Sequence, residues 1–394
     1  MGTVGGRVRR PGVDGARALA CLMVLAFHSW EFAGSPSSHG LGAMFELNAG
    51  VDLFMILSGF CLMLPLLERQ NGVERFDWRT YLRRRVRRIA PPYYAAIAYA
   101  VALPAVLVAG YRALGISASW QPLPSAADLF THLTFTHSLF PEYWNGISGS
   151  FWSLGLEMQF YLLFPLLVLA LRRRGALVLA LGAAASVAYR VVLDLNPQPE
   201  PMGLLLTLNA AGRLMEFCAG ALAAVLVART ARQLTVPLAV VAGVCIAGGL
   251  VRNAPLAHLP ARELLLSTGF AALLALAARP GNAVSAALSV RWLAWLGFVS
   301  YSVFLLHQQT LYYFQQGLEK ALGVPQGAPT LALELTVGLA LVLAVSWGFH
   351  RLVELPFMRP ARRPLHARPA GSASLVPGQR RAGQDVRPEP AFRG

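Results

Sequence analysis

The residues of this chain best suited to chemistry are a histidine and two carboxylates that interrupt apolar runs. His28 lies in the apolar segment 16–33, Asp52 opens the next apolar run, and Glu157 lies near the start of a later one. An imidazole, whose ordinary pKa is ~6.5, can take a proton at neutral pH as a general base. A carboxylate can orient that ring and stabilise its charged form. We expect His28, Asp52 and Glu157 to be catalytic, with Asp52 or Glu157 beside the ring; the alternative for His28 is a neutral ring hydrogen-bonded to a neighbouring helix.

Arginines suited to binding phosphate form a second set. Arg17 precedes His28 by eleven positions, which is about 16 Å along a helix. A dense run follows in the polar segment 68–88, which we expect to be a loop at the cytoplasmic mouth. Guanidinium groups match phosphate geometry, so the run is suited to a polyphosphate donor. The predicted donor-binding residues are Arg17, Arg84, Arg85, Arg87 and Arg88. The alternative for the run is membrane orientation and contact with lipid headgroups.

A third set is predicted either to contact substrate or to serve the structure. Its members are Tyr93, Trp152, Arg213, Glu216, Tyr301 and His307. Arg213 and Glu216 are three residues apart on a predicted helix and can neutralise each other, which favours a structural pair. For His307, hydrogen-bonded packing and substrate binding both stay open.

The composition requires a membrane around these residues. Apolar residues make up 56% of 394, charged residues only 13%, and the mean hydropathy is +0.51. A soluble domain carries about 25% charged residues. Ten segments are apolar enough to span a bilayer. The predicted spans are 16–33, 49–67, 89–111, 152–171, 175–193, 203–228, 236–251, 263–278, 292–313 and 329–350. The sequence therefore predicts an all-α, polytopic bundle of about ten transmembrane helices.

The distribution of positive charge orients the predicted bundle. With Met1 in the cytoplasm, 28 of the 34 Lys and Arg residues fall on the cytoplasmic side, which puts both termini there. Loops that face anionic lipid thus account for the net charge of +15 without a nucleic-acid partner. We expect a basic N-terminus over 1–15, a membrane domain over 16–355, and a disordered cytoplasmic tail over 356–394, which is rich in Pro, Arg and Gly.

Several kinds of site are not predicted. The four cysteines lie inside apolar runs without disulfide or metal spacing, and neither zinc ligand sets nor phosphate-binding glycine loops occur. We therefore expect no metal and no permanently bound cofactor. The outer segment 112–151 carries Trp120, His132, His137 and Trp144, which is typical of an ordered lid or of an interfacial aromatic belt.

Seven motifs, in order along the chain, carry a family resemblance. They are DGARALACLMVLAFH (14–28), GVDLFMILSGF (50–60), RRVRRIAPPY (84–93), FWSLGLEMQFYLLFP (151–165), RLMEFCAG (213–220), GFVSYSVFLLH (297–307) and VELP (353–356). With them the chain resembles the acyltransferase 3 family of bacterial integral-membrane acyltransferases, which modify surface polysaccharides, lipopolysaccharide, glucans and macrolides.

The resemblance implies an O-acyltransferase of the bacterial inner membrane. It implies an acyl-CoA donor taken from the cytoplasm and a carbohydrate-containing acceptor presented from the other side. It also implies that Arg17 and His28 matter for activity, and the outer segment 112–151 is our candidate for acceptor contact. The alternative function is a proton-coupled transporter or a flippase, in which the buried charged groups relay protons.

Overall fold

The computed structural model describes residues 3–4, 7–8, 10–37, 47–115, 123–230, 234–250 and 260–358. The predicted tail lies outside the described residues from 359 onward, and Trp120 also lies outside them. A short antiparallel pair of strands, β1 (Thr3–Val4) and β2 (Arg7–Val8), precedes the helices.

Helices form the rest of the described architecture. In chain order they are α1 (Pro11–Phe32), α2 (Gly50–Leu67), α3 (Trp78–Ala113), α4 (Ala126–Leu133), α5 (Trp152–Arg174), α6 (Leu177–Leu195), α7 (Met202–Leu208), α8 (Leu214–Arg229), α9 (Thr235–Gly249), α10 (Ala261–Ala277), α11 (Ala283–Leu288), α12 (Arg291–Leu322), α13 (Ala328–Leu333), α14 (Leu339–Phe349) and α15 (Leu355–Met358). The all-α prediction is confirmed for the described residues that carry the bundle.

Five helical stretches in the described part are long and apolar enough to cross a membrane. They are Leu47–Leu67, Trp78–Ala113, Trp152–Arg174, Leu177–Leu195 and Ala328–Met358. The apolar helix Thr235–Gly249 is shorter than these. Each of the ten predicted segments overlaps a helix, but length and apolar character support five membrane spans.

The arginine run lies on a helix, so the prediction of a loop over 68–88 is wrong for its second half. The Asp77 side chain caps α3 by accepting hydrogen bonds from the backbone N of Arg79 at 3.0 Å and of Thr80 at 3.3 Å. α3 therefore begins before the apolar run that marked its predicted start. A helix divides the arginines between faces, which a loop would not do.

The sixth predicted segment, 203–228, is two helices and not one. α7 ends at Leu208, and α8 begins after Arg213. In the break, the Asn209 side chain accepts a hydrogen bond from the backbone N of Gly212 at 3.0 Å, a local contact that competes with the helix. Arg213 is consequently the residue that precedes α8, with Glu216 in the first turn.

The ends of two other helices also differ from the prediction. α1 begins at Pro11, a residue suited to a helix start, so part of the predicted N-terminal segment 1–15 belongs to the helix. The last helix is continuous over Ala328–Met358 and contains two π-helical segments, Glu334–Gly338 and His350–Glu354. The VELP motif is therefore helical.

Glycines let the principal helix pairs touch backbone to backbone. α2 packs on α8, and α1 packs on α12. A Cβ on Gly220 would lie 1.8 Å from the carbonyl oxygen of Ile56, and one on Gly59 would lie 2.0 Å from that of Phe217. A Cβ on Gly297 of α12 would lie 1.8 Å from the carbonyl oxygen of Asp14 on α1. Small residues at such crossings are a common means of helix association in membranes.

Replacing Gly220 with alanine should destabilise the bundle, because the new methyl group has no space beside the Ile56 carbonyl. We expect a loss of roughly 1–3 kcal/mol or more, seen as a lower Tm of the purified protein in detergent. The matched control is Gly243→Ala in α9, where a Cβ would meet nothing within 4 Å. Equal melting of the two variants would contradict the packing.

Candidate active site

A cavity of about 300 Å³ lies among α1, α2, α3, α5, α12 and the last helix. We call it the arginine cavity. Its charged lining residues are Asp14, Arg17, Arg85, Arg88, Glu157 and Glu354. Of the predicted donor-binding residues, Arg17, Arg85 and Arg88 therefore line one space. Arg84 and Arg87 are exposed on α3 and do not line it.

Two arginines of α3 reach the cavity. They are Arg85 and Arg88, three residues apart on the helix. The Arg85 guanidinium lies over the rings of Tyr81 and Tyr161, at 5.8 Å and 5.5 Å from the ring centroids. Neither Arg85 nor Arg88 forms an ion pair within the described part of the chain. Their charge is thus open to an anionic ligand.

Arg17 reaches the cavity from α1. Its Nη1 lies 3.4 Å from an Asp14 carboxylate oxygen, and its Nη2 donates to the Cys61 sulfur at 3.1 Å. The side chain keeps 29% of its surface exposed. Arg17 is therefore oriented by two neighbours while its charge still faces the cavity.

Two carboxylates in the cavity are hydrogen-bonded to neighbouring side chains. Glu157 accepts hydrogen bonds from Ser58 Oγ at 3.3 Å and from the Tyr161 hydroxyl. Glu354 Oε2 accepts one from Ser302 Oγ at 2.6 Å and lies 2.8 Å from Nδ1 of His350, its partner within the π-helical segment. These contacts fix both carboxylates as acceptors at known positions in the wall.

Tyr301 also lines the arginine cavity, whereas Tyr93 and Trp152 do not. The Tyr301 hydroxyl donates to the carbonyl oxygen of Ile89 at 3.0 Å, which joins α12 to α3. Tyr93 is fully buried, with its ring centroid 4.6 Å from that of Phe135, and Trp152 packs against the main core.

His28 has a different carboxylate partner from the two that were predicted. Its Nδ1 lies 2.8 Å from Oε2 of Glu31, one turn further along α1. Neither Asp52 nor Glu157 is among its hydrogen-bond partners, so the structure does not bring the three predicted catalytic residues together. Glu31 was not predicted as a partner of His28. The signal in the sequence is its spacing, because residues three apart on a helix lie on the same face.

His307 packs beside His28, with 5.1 Å between ring centroids. Its Nδ1 lies 2.8 Å from the carbonyl oxygen of Phe304, so that nitrogen carries the proton and Nε2 is the acceptor. Nε2 is buried and has no hydrogen-bond partner in the described part of the chain. The two histidines thus form a pair between α1 and α12, which we call the histidine pair.

Asp52 belongs to a buried ion-pair network and not to the histidine pair. Arg213 Nη1 contacts Asp52 Oδ1 and lies 3.0 Å from Glu216 Oε1. Arg190 lies 3.7 Å from Glu216 and 3.1 Å from Glu263. The pairing of Arg213 with Glu216 that their spacing predicts is therefore present. The network joins α2, α6, α8 and α10, because the break before α8 leaves Arg213 beside Asp52.

The outer segment is held by a second pair of histidines, outside the spans. The His132 and His137 rings stack with 4.0 Å between centroids and 10° between planes. His132 Nδ1 lies 2.9 Å from the Asp128 carbonyl oxygen, and His137 Nε2 lies 2.9 Å from that of Phe151. Burial lowers the pKa of each ring to about 4, so both are neutral at pH 7. The described part of segment 112–151 is accordingly an ordered, packed structure.

A second cavity, of about 450 Å³, lies under this outer segment. We call it the tyrosine cavity. Residues 145–149 form one wall, and Tyr312 and Tyr313 of α12 form another, with Phe32 of α1 at its edge. The Phe32 ring stacks on that of His28 with 5.8 Å between centroids. The tyrosine cavity therefore adjoins the histidine pair.

These apolar helices define a multi-pass membrane protein with charged side chains gathered in its interior. The chain belongs to the acyltransferase 3 family, since the family model, described as an acyltransferase domain, matches residues 10–351. The resemblance drawn from the seven motifs is confirmed.

Curated relatives of the chain are O-acetyltransferases. The putative peptidoglycan O-acetyltransferase YrhL of Bacillus subtilis is 27% identical over 196 residues, which cover 46% of this chain and 28% of the relative. The peptidoglycan O-acetyltransferase OatA of Listeria monocytogenes is 28% identical over 169 residues, covering 40% of this chain and 24% of the relative. The O-acetyltransferase OatA of Staphylococcus aureus is 24% identical over 176 residues, covering 42% and 25%. The chain thus spans about a quarter of the length of these relatives, and no solved structure matches it significantly.

Replacing Arg213 with leucine should strongly destabilise the protein, because Asp52 and Glu216 would lose their shared cation. We expect a loss of about 3–5 kcal/mol, measured by thermal unfolding in detergent. Arg174→Leu, at the exposed end of α5, is the matched control and should leave the Tm unchanged.

Adding Asp52→Asn to the Arg213→Leu variant should recover part of the loss, because it removes one of the stranded charges. If Arg213→Leu melts like wild type, the network does not hold these helices together.

Proposed function

We propose that this protein is an O-acyltransferase that moves an acyl group from acyl-CoA to a hydroxyl of a carbohydrate-containing acceptor. The observation that carries the proposal is the order in which two packed helices, α1 and α12, meet the arginine cavity, the histidine pair and the tyrosine cavity. α1 meets the arginine cavity at Arg17, then carries His28, and meets the tyrosine cavity at Phe32. α12 meets the arginine cavity at Tyr301, then carries His307, and continues into the tyrosine cavity. The histidine pair thus lies between the two cavities in the order of both helices, although neither ring is among the residues described around either cavity.

The donor's phosphates are proposed to bind in the arginine cavity. Arg85 and Arg88 offer guanidinium groups without ion-pair partners in the described part of the chain, and phosphate oxygens are ligands of matching shape and charge. The pantetheine arm would pass Arg17 toward the histidine pair. Glu157 and Glu354, each held by hydroxyl or imidazole donors, would shape the wall along this path.

The proposed general base is His28. With Nδ1 beside Glu31, the other ring nitrogen takes the proton of the acceptor hydroxyl as that oxygen attacks the thioester carbonyl. The carbon–sulfur bond to CoA breaks, and the imidazolium returns its proton to the CoA thiolate. Glu31 fills the orienting role expected of Asp52 or Glu157 and stabilises the imidazolium. His307 supports the ring from α12.

We propose ten membrane spans with both termini in the cytoplasm, in the inner membrane of a bacterium, with the membrane acyltransferase domain over 16–355. The distribution of Lys and Arg supports this orientation. In this proposed orientation the arginine cavity faces the cytoplasm, where acyl-CoA is made, and the tyrosine cavity faces the outside.

The acceptor is proposed to be a surface glycan. The relatives named for peptidoglycan O-acetylation support a carbohydrate acceptor. Family membership also supports acyl transfer over the alternative of a transporter or flippase. Binding of CoA distinguishes the two functions, since a transporter of sugars or lipids does not require a CoA-binding site.

CoA should raise the Tm of the purified full chain, with a stabilisation of about 2.7 kcal/mol at a hundredfold excess over Kd. Replacing Arg85 and Arg88 together with glutamine should remove most of this shift, because both guanidiniums line the arginine cavity. The matched control replaces Arg84 and Arg87 with glutamine, since they share α3 but not the cavity. Equal shifts in both double variants would place the donor elsewhere.

His28→Ala should lower acyl transfer about 10²–10⁴-fold while leaving the CoA-induced shift of Tm intact. Glu31→Gln should lower it less, about tenfold, because the ring stays but loses its charged partner. The rate is measured as transfer from labelled acetyl-CoA into membrane glycan. Glu142→Gln, on the exposed outer segment, is the control for a lost carboxylate. Wild-type transfer by His28→Ala would refute the proposed base.

A further inference from the structure

The tyrosine cavity differs from the arginine cavity in the character of its lining. No lysine, arginine, aspartate or glutamate is among the residues described around it. Its polar side chains are amides and hydroxyls, contributed by Asn145, Ser148, Gln308, Gln309, Tyr312 and Tyr313. A neutral cavity of this kind favours a ligand without net charge, because an anion or cation would be desolvated there without a partner.

One end of the side-chain amide of Gln308 and of Gln309 is hydrogen-bonded to the cavity wall. Gln308 Oε1 accepts hydrogen bonds from Ser148 Oγ at 3.0 Å and from the backbone N of Ser150. Gln309 Nε2 donates to the carbonyl oxygen of Ile147 at 2.9 Å. Segment 147–150 is thereby fixed to α12, so the cavity is a preformed space and not a gap beside a loose loop.

The other halves of these side chains are open to a ligand. Gln308 Nε2 and Gln309 Oε1 make no hydrogen bond within the described residues, and the same is true of the Asn145 amide and of the Tyr312 and Tyr313 hydroxyls. The cavity therefore offers both donors and acceptors. A ligand rich in hydroxyl and amide groups can satisfy both kinds, whereas an alkyl chain can satisfy neither.

Aromatic rings supply the apolar part of the lining. Tyr312 lies 5.7 Å from Phe32 and 5.0 Å from Tyr313 between ring centroids, in edge-to-face arrangements. Such rings offer flat apolar surfaces to the C–H faces of a sugar, and their hydroxyls reach its edges. The volume of about 450 Å³ lies within the ordinary range of small-molecule sites.

We infer that the tyrosine cavity binds an uncharged saccharide unit of the acceptor. The inference rests on the proposed function and adds to it the place and the chemical class of the acceptor. Phe32 lines the cavity and stacks on the His28 imidazole, whereas neither His28 nor His307 is among the residues described around the cavity.

The test is a titration of the purified full chain with tri-N-acetylchitotriose, a neutral probe of this class, followed by intrinsic fluorescence. Wild-type protein should bind the trisaccharide, and the charged trigalacturonate should not bind. Tyr313→Leu, which removes the ring, should weaken binding about tenfold, whereas Tyr313→Phe, which keeps the ring, should weaken it less. Tyr143→Leu, a tyrosine of the outer segment that does not line the cavity, should bind like wild type.

The CoA-induced shift of Tm, measured on the same samples, separates this inference from the proposed function. A Tyr313→Leu variant that keeps the shift but loses chitotriose supports the saccharide site. Absence of chitotriose binding in wild type, equal binding by Tyr313→Leu, or binding of trigalacturonate overturns the inference even if CoA still binds. A Tyr313→Leu variant whose preference among acyl-CoA chain lengths changes, with chitotriose binding intact, assigns the cavity to the donor's acyl chain and also overturns it. If CoA does not raise the Tm of the wild-type protein, that result instead contradicts the proposed function.

Discussion

The structure depends on one constraint, which is that an ionised side chain inside an apolar bundle must have a partner or an aqueous space. Each such group costs about 2.5–3.5 kcal/mol to insert even by lenient measures. The chain meets this constraint in three ways. Asp52, Arg190, Arg213, Glu216 and Glu263 pair with one another in a largely buried network. The cavity arginines keep access to a space, and His28 has Glu31 beside it at the end of α1.

These groups occupy overlapping parts of the bundle. The ion-pair network joins α2, α6, α8 and α10, the same part of the bundle where glycines bring α2 and α8 into backbone contact. Both cavities are lined by α1, α3 and α12, and α2 also lines the arginine cavity. α3 meets the arginine cavity at Arg85 and Arg88 and the tyrosine cavity at Pro104. α2 therefore takes part in both the ion-pair network and the wall of the arginine cavity.

The sequence predicts the helices well because apolar runs of about 20 residues leave few other structures in a membrane. It predicts less about what each side chain touches. The apolar runs predict that Asp52 or Glu157 lies beside His28, but an apolar run does not specify the rotation of a helix about its axis. Asp52 faces Arg213 because α8 begins only after the turn at Asn209. The apolar content of 203–228 does not reveal that turn. The Asp77 cap, by contrast, is a local signal that the sequence contains and that would have shown that the arginines lie on a helix.

The π-helical segment His350–Glu354 determines which side chains of the last helix face the cavity. A π turn accommodates one residue more than an α turn, so it resembles a single-residue insertion that the helix absorbed without breaking. That extra residue fixes the rotation, about the helix axis, of the side chains that follow it. Deleting one residue there would restore α geometry and rotate the following side chains by about 100°, moving Glu354 out of the cavity wall. The number of residues in this segment is therefore constrained by the position of Glu354 in the cavity wall.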